Sequence, residues 1–374
     1  MTLTLSKLIS HPPFSNISGR SIIARRNLFS QRLRIPYPSN SFTFPFSTMT
    51  TKLMKAVQIT RTGGPEVLEY SEIPYPSITG QDDVVVKNFA IGINYIDTYH
   101  RSGLYKLDLP TVIGREGAGI VESVGEGVKD VCPGDHVVFL GAPSYAEYTT
   151  ANAKYVAKLP EGIDFKLAAA SLLQGLTAWT LVTQSYAVQK NDWVLIHAAA
   201  GGVGLLLTQL SRKLGANVIG TVSTPEKAEI AKAAGADHII NYSHQNVIEE
   251  VQRITNNHGV HVVYDGIGAN TWETSLACAR RLGSMISFGN ASGPVPPFTI
   301  SRLSEKNLKL MRPILFNYLT TKEEFQRYTA EVLEMVVNKS LEIKIWKTYK
   351  LIEVKQAHID LEGRKTSGKL LLEP

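Results

Sequence analysis

At 374 residues the chain is long enough for two domains, because single hydrophobic cores stop growing at about 250–300 residues. Apolar residues make up 44% and charged residues 19%, a balance that excludes a disordered or fibrous protein. The net charge of +6 raises the question of nucleic-acid binding, but its distribution answers it. Lys7, Arg20, Arg25, Arg26, Arg32, Arg34 and Lys52 fall in residues 1–52 and the first acid is Glu66, which leaves the remainder near neutral. No nucleic-acid partner is expected of such a body.

Residues 1–52 also hold nine serines, six threonines and prolines at 12, 13, 36, 38 and 45. An Arg- and Ser-rich, acid-free composition is that of an organelle import peptide. It predicts a mitochondrial address, with a plastid address and a plain disordered tail as the alternatives. Met49 and Met54 just precede the first strand-like run, so the sequence allows a shorter cytosolic form as well. No apolar stretch is expected to reach the ~18 residues of a membrane span. Cys132 and Cys278, the only cysteines, are too far apart to organise a disulfide framework or a multi-cysteine zinc lobe.

From Met54 onward, short apolar runs alternate with glycine and proline. Lys55–Thr60, Val67–Glu72, Asp83–Ile93, Gly119–Val124 and His136–Leu140 read as strands of a mostly β first domain. Leu167–Ser185 is an apolar helix. A regular alternation follows, with strands at Trp193–His197, Asn217–Thr221, His238–Asn241, Val260–Asp265 and Gly283–Phe288. The helices between them are expected at Val203–Leu214, Glu226–Ala234, Gln245–Thr255 and Asn270–Arg281. Strands alternating with helices of this length predict parallel βαβ units, and the continuously apolar Trp193–Ile196 suits a buried parallel strand. Mixed elements resume after Pro313, and Lys369–Leu372 reads as a last strand that must join the first domain's sheet.

The strand at Trp193–His197 runs into Ala198-Ala199-Ala200-Gly201-Gly202-Val203-Gly204 and then a helix. A glycine-rich strand-to-helix turn brings bare backbone and free N–H groups to a pyrophosphate. A turn that only packs helix on sheet has the same glycines, but its place at the first strand of a βαβ series favours the dinucleotide reading. The second strand ends in Thr221-Val222-Ser223-Thr224-Pro225-Glu226-Lys227 instead of the acid that would bind an NAD ribose. Ser223, Thr224 and Lys227 suit a 2′-phosphate, with Glu226 in the first helical turn facing away. The plainer alternative is that Thr224 caps the helix and Lys227 is solvated. In the first domain, Ile93–Tyr105 concentrates polar and aromatic groups, and Tyr99 and Tyr105 offer ring surface and O–H to an acceptor, although ordinary half-buried tyrosines would look the same.

Taken in order, several runs make the region Met54–Pro374 resemble the medium-chain dehydrogenase/reductase superfamily, most closely its zeta-crystallin-like quinone oxidoreductases. They are Gly92–Asp97, Gly114–Gly119, Pro133–Asp135, Gln174–Ala178, Ala198–Gly204, Asp265–Gly268 and Arg364–Lys369. The resemblance implies an α/β protein in which a GroES-like, mostly-β catalytic domain (53–177, resumed at 313–374) flanks a Rossmann-type doubly wound cofactor domain (178–312). It implies NADPH contacts from Thr177, Val203, Lys227, Tyr242, Phe288 and Arg364. Tyr95, Gly201, Gly202, Gly204, Gly266 and Gly289 fall in the same expected site. Zinc-dependent relatives carry Cys and His where this chain has Asn94 and Arg115, so no catalytic metal is expected. The implied activity is hydride transfer from NADPH to a quinone, with Asn94 and Asp97 shaping the nicotinamide end and Tyr99 and Tyr105 facing the acceptor. No general acid is assigned, since solvent can protonate a reduced quinone. An alkenal or enone reductase is the alternative on this fold, and a cofactor-binding structural or RNA-binding crystallin-like protein is a second. A homodimer paired through the edge of the cofactor-domain sheet is also implied.

Overall fold

The computed structural model describes residues 52–374, so the expected import peptide, which falls on residues 1–52, lies outside the described residues apart from Lys52, as does Met49. Five strands that the sequence spaced between helices, and a sixth that it did not indicate, β14, form one parallel sheet. These are β9 (Trp193–Ile196), β10 (Asn217–Val222), β11 (His238–Asn241), β12 (Val260–Asp265), β13 (Ala279–Ser287) and β14 (Lys309–Met311), with β1–β8 preceding them in the chain. Their spatial order is β11-β10-β9-β12-β13-β14. Counted from β9, this is the 3-2-1-4-5-6 order of a doubly wound fold, whose strand order reverses between β9 and β12 and opens a crevice there. Val194, Leu195 and Ile196 are fully buried, as a strand covered on both faces requires. Helices α3 (Gly202–Lys213), α4 (Pro225–Ala233), α5 (Val247–Ile254) and α6 (Trp272–Cys278) connect the strands.

Seven strands form the second large sheet, which draws on both ends of the chain. β3 (Asp83–Ile93), β5 (Glu116–Val124), β6 (His136–Leu140), β7 (Tyr148–Asn152) and β8 (Val156–Lys158) come from the first third, and β15 (Ile345–Lys350) and β16 (Lys369–Glu373) from the last. β16 lies antiparallel to β3, with Leu370 opposite Ile93 and Leu372 opposite Ile91, so the terminal strand joins the first domain as its composition required. β1 (Leu53–Ile59), β2 (Glu69–Pro74) and β4 (Thr111–Val112) make a small third sheet.

Several elements differ from expectation. Tyr95–Ser102, read as an aromatic and polar cluster without an element, is a helix, α1, capped by Asn94 and ended by Gly103 in the left-handed region. The helix expected over Asn270–Arg281 stops at Cys278, because Ala279 already pairs with Val260 in the sheet. The region after Pro313 supplies α7 (Lys322–Val337), which starts at a Thr321/Glu324 capping box, and α8 (Val354–Glu362).

α2 (Phe165–Thr180), prolonged by one wide turn to Ser185, joins the two large sheets. It packs against β3, β5 and β6 on one side and α3 and α7 on the other. Contrary to the sequence reading, Phe165–Ser185 has the length and apolar content of a membrane span. Most of it is buried in the core, where Ala168, Ala169, Leu172 and Leu176 have no exposed surface.

The α2–α7 contact admits a direct test. A Cβ on Gly175 would stand 2.7 Å from Val332 Cγ1. Gly175→Ala should therefore destabilise the protein by about 1–3 kcal/mol through overpacking, despite alanine's better helix propensity. Val332→Ala in the same chain should recover most of that loss, read as urea midpoints; additive losses would show that the two helices do not meet through this pair.

Candidate active site

A cavity of about 940 Å³ opens at the crevice between β9 and β12 and runs to the end of the seven-stranded sheet. Its lining includes four cations, Arg115, Lys227, Arg312 and Arg364, and no aspartate or glutamate. An acid-free wall of this size favours an anionic occupant.

The phosphate loop forms one wall. α3 begins at Gly202, and its N-cap Gly201 offers no side-chain cap, so the first-turn N–H groups of Gly202, Val203 and Gly204 remain available to a ligand. Glycine is required at 204, where a Cβ would come within 2.3 Å of the Ala198 carbonyl oxygen. The floor beneath is stiffened by Asp265, whose carboxylate accepts from Ile267 N, Gly268 N, Thr271 Oγ1 and Ser275 Oγ at 2.6–3.0 Å. Ser275 Oγ also lies 3.0 Å from His197 Nε2, and burial pushes that imidazole below its ordinary pKa.

At the turn after β10, Ser223 and Lys227 line the cavity while Thr224 does not. Thr224 Oγ1 instead caps α4 by accepting Lys227 N at 3.3 Å, which is the plainer alternative for that residue. Lys227 is half-buried and tied at its end: its Nζ donates to the Arg364 carbonyl oxygen at 2.6 Å, and burial, then the Arg364 charge, lowers its pKa. Glu226 is exposed and faces away as expected.

The opposite wall is built on a buried ion pair that the sequence reading missed. Lys369, 1% exposed, donates to Asn94 Oδ1 at 2.8 Å and pairs with Glu116, which is 0% exposed. Glu116 Oε1 also accepts from Asn94 Nδ2 at 2.7 Å, and its Oε2 accepts Leu173 N at 2.7 Å. The Asn94 amide is thus oriented by a cation on its oxygen and an anion on its nitrogen.

Asp97 does not reach the cavity. Its side chain is fully buried, with Oδ2 accepting Asn94 N at 2.8 Å and the Tyr145 hydroxyl at 2.9 Å. A carboxylate one helical turn inside α1 completes the capping box, which removes it from the nicotinamide end where the sequence placed it. Behind it, the Tyr145 hydroxyl lies 3.1 Å from His358 Nε2, and Arg101 joins His358 to Glu362.

Tyr99 and Tyr105 do line the cavity, with rings 5.3 Å apart edge to face. Both hydroxyls are held by the other lobe. Tyr99 accepts Asn290 N at 2.8 Å, and Tyr105 accepts Arg312 Nη2 at 3.1 Å. Arg312 Nη1 in turn donates to the Ser287 and Gly289 carbonyls at 3.0 and 2.9 Å. Burial raises the Tyr99 phenol well above its ordinary value, which keeps it protonated at neutral pH.

Of the expected site residues, Asn94, Tyr95, Tyr99, Tyr105, Thr177, Gly201, Gly202, Val203, Gly204, Ser223, Lys227, Tyr242, Gly266, Phe288, Gly289 and Arg364 line this one cavity. Asp97 and Thr224 stand outside it. Asn290 carried no local pattern that would have placed it here, and Lys369, although it ends the Arg364–Lys369 run, gave no sign of its pairing with Glu116.

The fold and site can be set beside known proteins. Residues 80–161 match the alcohol dehydrogenase GroES-like domain and residues 202–334 the domain described as zinc-binding dehydrogenase. These two domains together define a medium-chain dehydrogenase/reductase. A quinone oxidoreductase of Pseudomonas aeruginosa is 43% identical over 326 residues, which is 86% of this chain and 100% of that protein. A 2-haloacrylate reductase of Burkholderia is 38% identical over 86% of this chain and 99% of its own length. The crystal structure of Escherichia coli quinone oxidoreductase complexed with NADPH superposes with a TM-score of 0.83 at 41% identity, covering 86% of this chain and 100% of that one. The chain belongs to the quinone oxidoreductase family of this superfamily.

Zinc, which the second domain's description carries, does not fit these residues. The donors that Asn94 and Glu116 could offer are already taken by the Lys369 ammonium, a cation that would repel another, and Arg115 adds a further positive charge. No group of three or more His, Cys, Asp or Glu suited to a metal occurs among the described residues.

Burial pushes the Asp97 carboxyl up from 3.8 to about 7, so the folded state holds a proton that the unfolded state releases between those values. The Asp97 contribution to stability therefore falls as pH rises through that window. Asp97→Asn should gain in urea midpoint relative to the parent protein between pH 5 and pH 8. A difference that stays constant over this range would contradict a raised Asp97.

Proposed function

We propose that this protein reduces quinones by hydride transfer from NADPH in the cleft between its two large sheets, without a metal ion. The observation that carries the reading is a single acid-free cavity that joins a phosphate-binding helix start to an aromatic wall. NADPH supplies the hydride. The N–H groups of Gly202, Val203 and Gly204 hold the pyrophosphate, and Ser223, Lys227 and Arg364 meet the 2′-phosphate. Thr177, Tyr242, Gly266, Phe288 and Gly289 line the rest of the dinucleotide path, with Tyr95 beside them.

Asn94 presents a fixed amide toward the reacting end, and Asp97 serves only to hold the Asn94 backbone. Tyr99 and Tyr105 bound the acceptor with ring surface, since their hydroxyls are engaged with Asn290 and Arg312. Ile314 and Phe316 extend this surface to the mouth, where Ile314 is 59% exposed, and a flat apolar acceptor would cover it. The protein's work is positioning and exclusion of water; solvent supplies the proton that completes the hydroquinone.

The composition of residues 1–52 supports a mitochondrial address, with a cytosolic form starting at Met49 or Met54, and sequencing the N-terminus of the native protein tests both. Among the described residues β14 is an edge of the six-stranded sheet, which supports pairing of two chains there into a homodimer.

The sharpest test of the cofactor assignment uses its sign. Lys227→Ala should weaken NADPH binding by ~1.5–3 kcal/mol, the range for a hydrogen bond to a charged group, and leave NADH nearly unchanged. Ser223→Asp should lower the NADPH preference further, by repelling the phosphate and offering a ribose diol an acceptor. Dissociation constants from cofactor fluorescence at one salt concentration decide it. Equal losses for the two cofactors, or a parent protein that prefers NADH, would contradict the assignment.

A further inference from the structure

Two of the four cations in the cavity wall, Lys227 and Arg312, have bonded side chains, and a third lies at the dinucleotide end. Lys227 is tied to the Arg364 carbonyl, Arg364 stands beside it at the dinucleotide end, and Arg312 braces Tyr105 and the backbone at Ser287 and Gly289. Arg115 has no such duty: its Nε is buried without a hydrogen-bond partner, and its guanidinium forms no ion pair among the described residues. It lies 5.1 Å from the centroid of the Phe316 ring, on the wall supplied by the seven-stranded sheet.

Its position is built in. Gly114 holds φ +101° immediately before it, and a Cβ there would meet Ser144 Oγ at 2.4 Å and the Tyr145 ring at 2.5 Å. The Arg115 carbonyl accepts Gly141 N at 2.7 Å, and Glu116, the next residue, is locked into the ion pair with Lys369. The backbone on both sides is thus fixed. The titratable groups around it offer little counter-charge: His100 is driven down to about 4 by burial and by Arg115 itself, and Asp97, the one carboxyl whose charge reaches Arg115, is fully buried outside the cavity and pushed up to about 7 by burial.

A half-buried guanidinium left without an anion costs free energy unless a ligand supplies one. The geometry points to Arg115 as a specificity residue that selects an acceptor carrying a carboxylate beside its electron-poor ring or double bond. This rests on the proposed quinone reduction and deepens it: Phe316, Tyr105 and Ile314 cover the flat apolar part, and Arg115 pairs with the carboxylate. Planar, bidentate pairing is what a guanidinium does best with a carboxylate.

The test compares carboxy-1,4-benzoquinone with methyl-1,4-benzoquinone, read as the ratio of their kcat/KM values, in the parent protein and in Arg115→Gln. Differences in intrinsic reactivity between the two quinones cancel when that ratio is compared across variants. We expect the ratio to fall at least tenfold in Arg115→Gln. A ratio unchanged within twofold would overturn the inference, including the case where Arg115→Gln slows both quinones alike. Should the variant fail to fold, inhibition of the parent protein reads the same contact. Benzoate competitive with the quinone and at least tenfold tighter than benzamide supports the inference, and equal inhibition overturns it. A parent protein that reduces neither quinone would bring down the proposed function and this inference together, whereas a ratio left unchanged by Arg115→Gln brings down this inference alone.

Discussion

A lysine and a glutamate buried to 1% and 0% exposure meet at the point where four segments distant in sequence converge. Lys369 opens the last strand, Glu116 opens β5, Asn94 caps α1 at the end of β3, and Leu173 lies within α2. Moving two charges out of water costs several kcal/mol per ion, so such a pair persists only when its remaining hydrogen-bonding capacity is met. Here it is: Asn94 and the Leu173 N–H complete the shell. Removing either charge would strand the other, which makes this cluster the constraint that holds the terminal strand in register and the cleft floor in place.

The consequence extends to both walls. Gly368, next to Lys369, donates its N–H to the Ala200 carbonyl at 3.2 Å and bridges to Gly201, so the same strand that anchors Asn94 also touches the phosphate loop. On the far side, Tyr99 and Tyr105 reach across to Asn290 and Arg312. The two lobes are therefore joined by hydrogen bonds at the site itself as well as by the apolar body of α2. In zinc-type relatives a metal would organise this region; here an ammonium held by a carboxylate and an amide occupies the donors.

Much of this was legible in the sequence, for physical reasons. The βαβ alternation is periodic, and the parallel order followed from runs such as Trp193–Ile196 that are apolar on both faces. The phosphate loop was readable because Gly201, Gly202 and Gly204 cluster at a strand-to-helix turn. What could not be read depends on long-range pairing. Lys369 looks like an ordinary strand-end cation until β16 is placed beside β3, and Glu116 like a surface acid until α2 covers it. Asp97 and Thr224 show the opposite error. Each is polar and adjacent to site residues, yet each is consumed by a helix cap, a local use of Asp and Thr that competes with any role in the cleft.

If a buried lysine–glutamate pair and not a metal organises the hydride-transfer cleft, protein stripped of metal should keep its activity. After exhaustive dialysis against a chelator, with zinc content measured by mass spectrometry, 1,4-benzoquinone reduction is followed with NADPH and with NADPH deuterated at the transferred position of C4. Full turnover is expected at substoichiometric zinc, with a primary isotope effect above unity on kcat/KM. Activity that disappears on dialysis and returns in proportion to added zinc would contradict it.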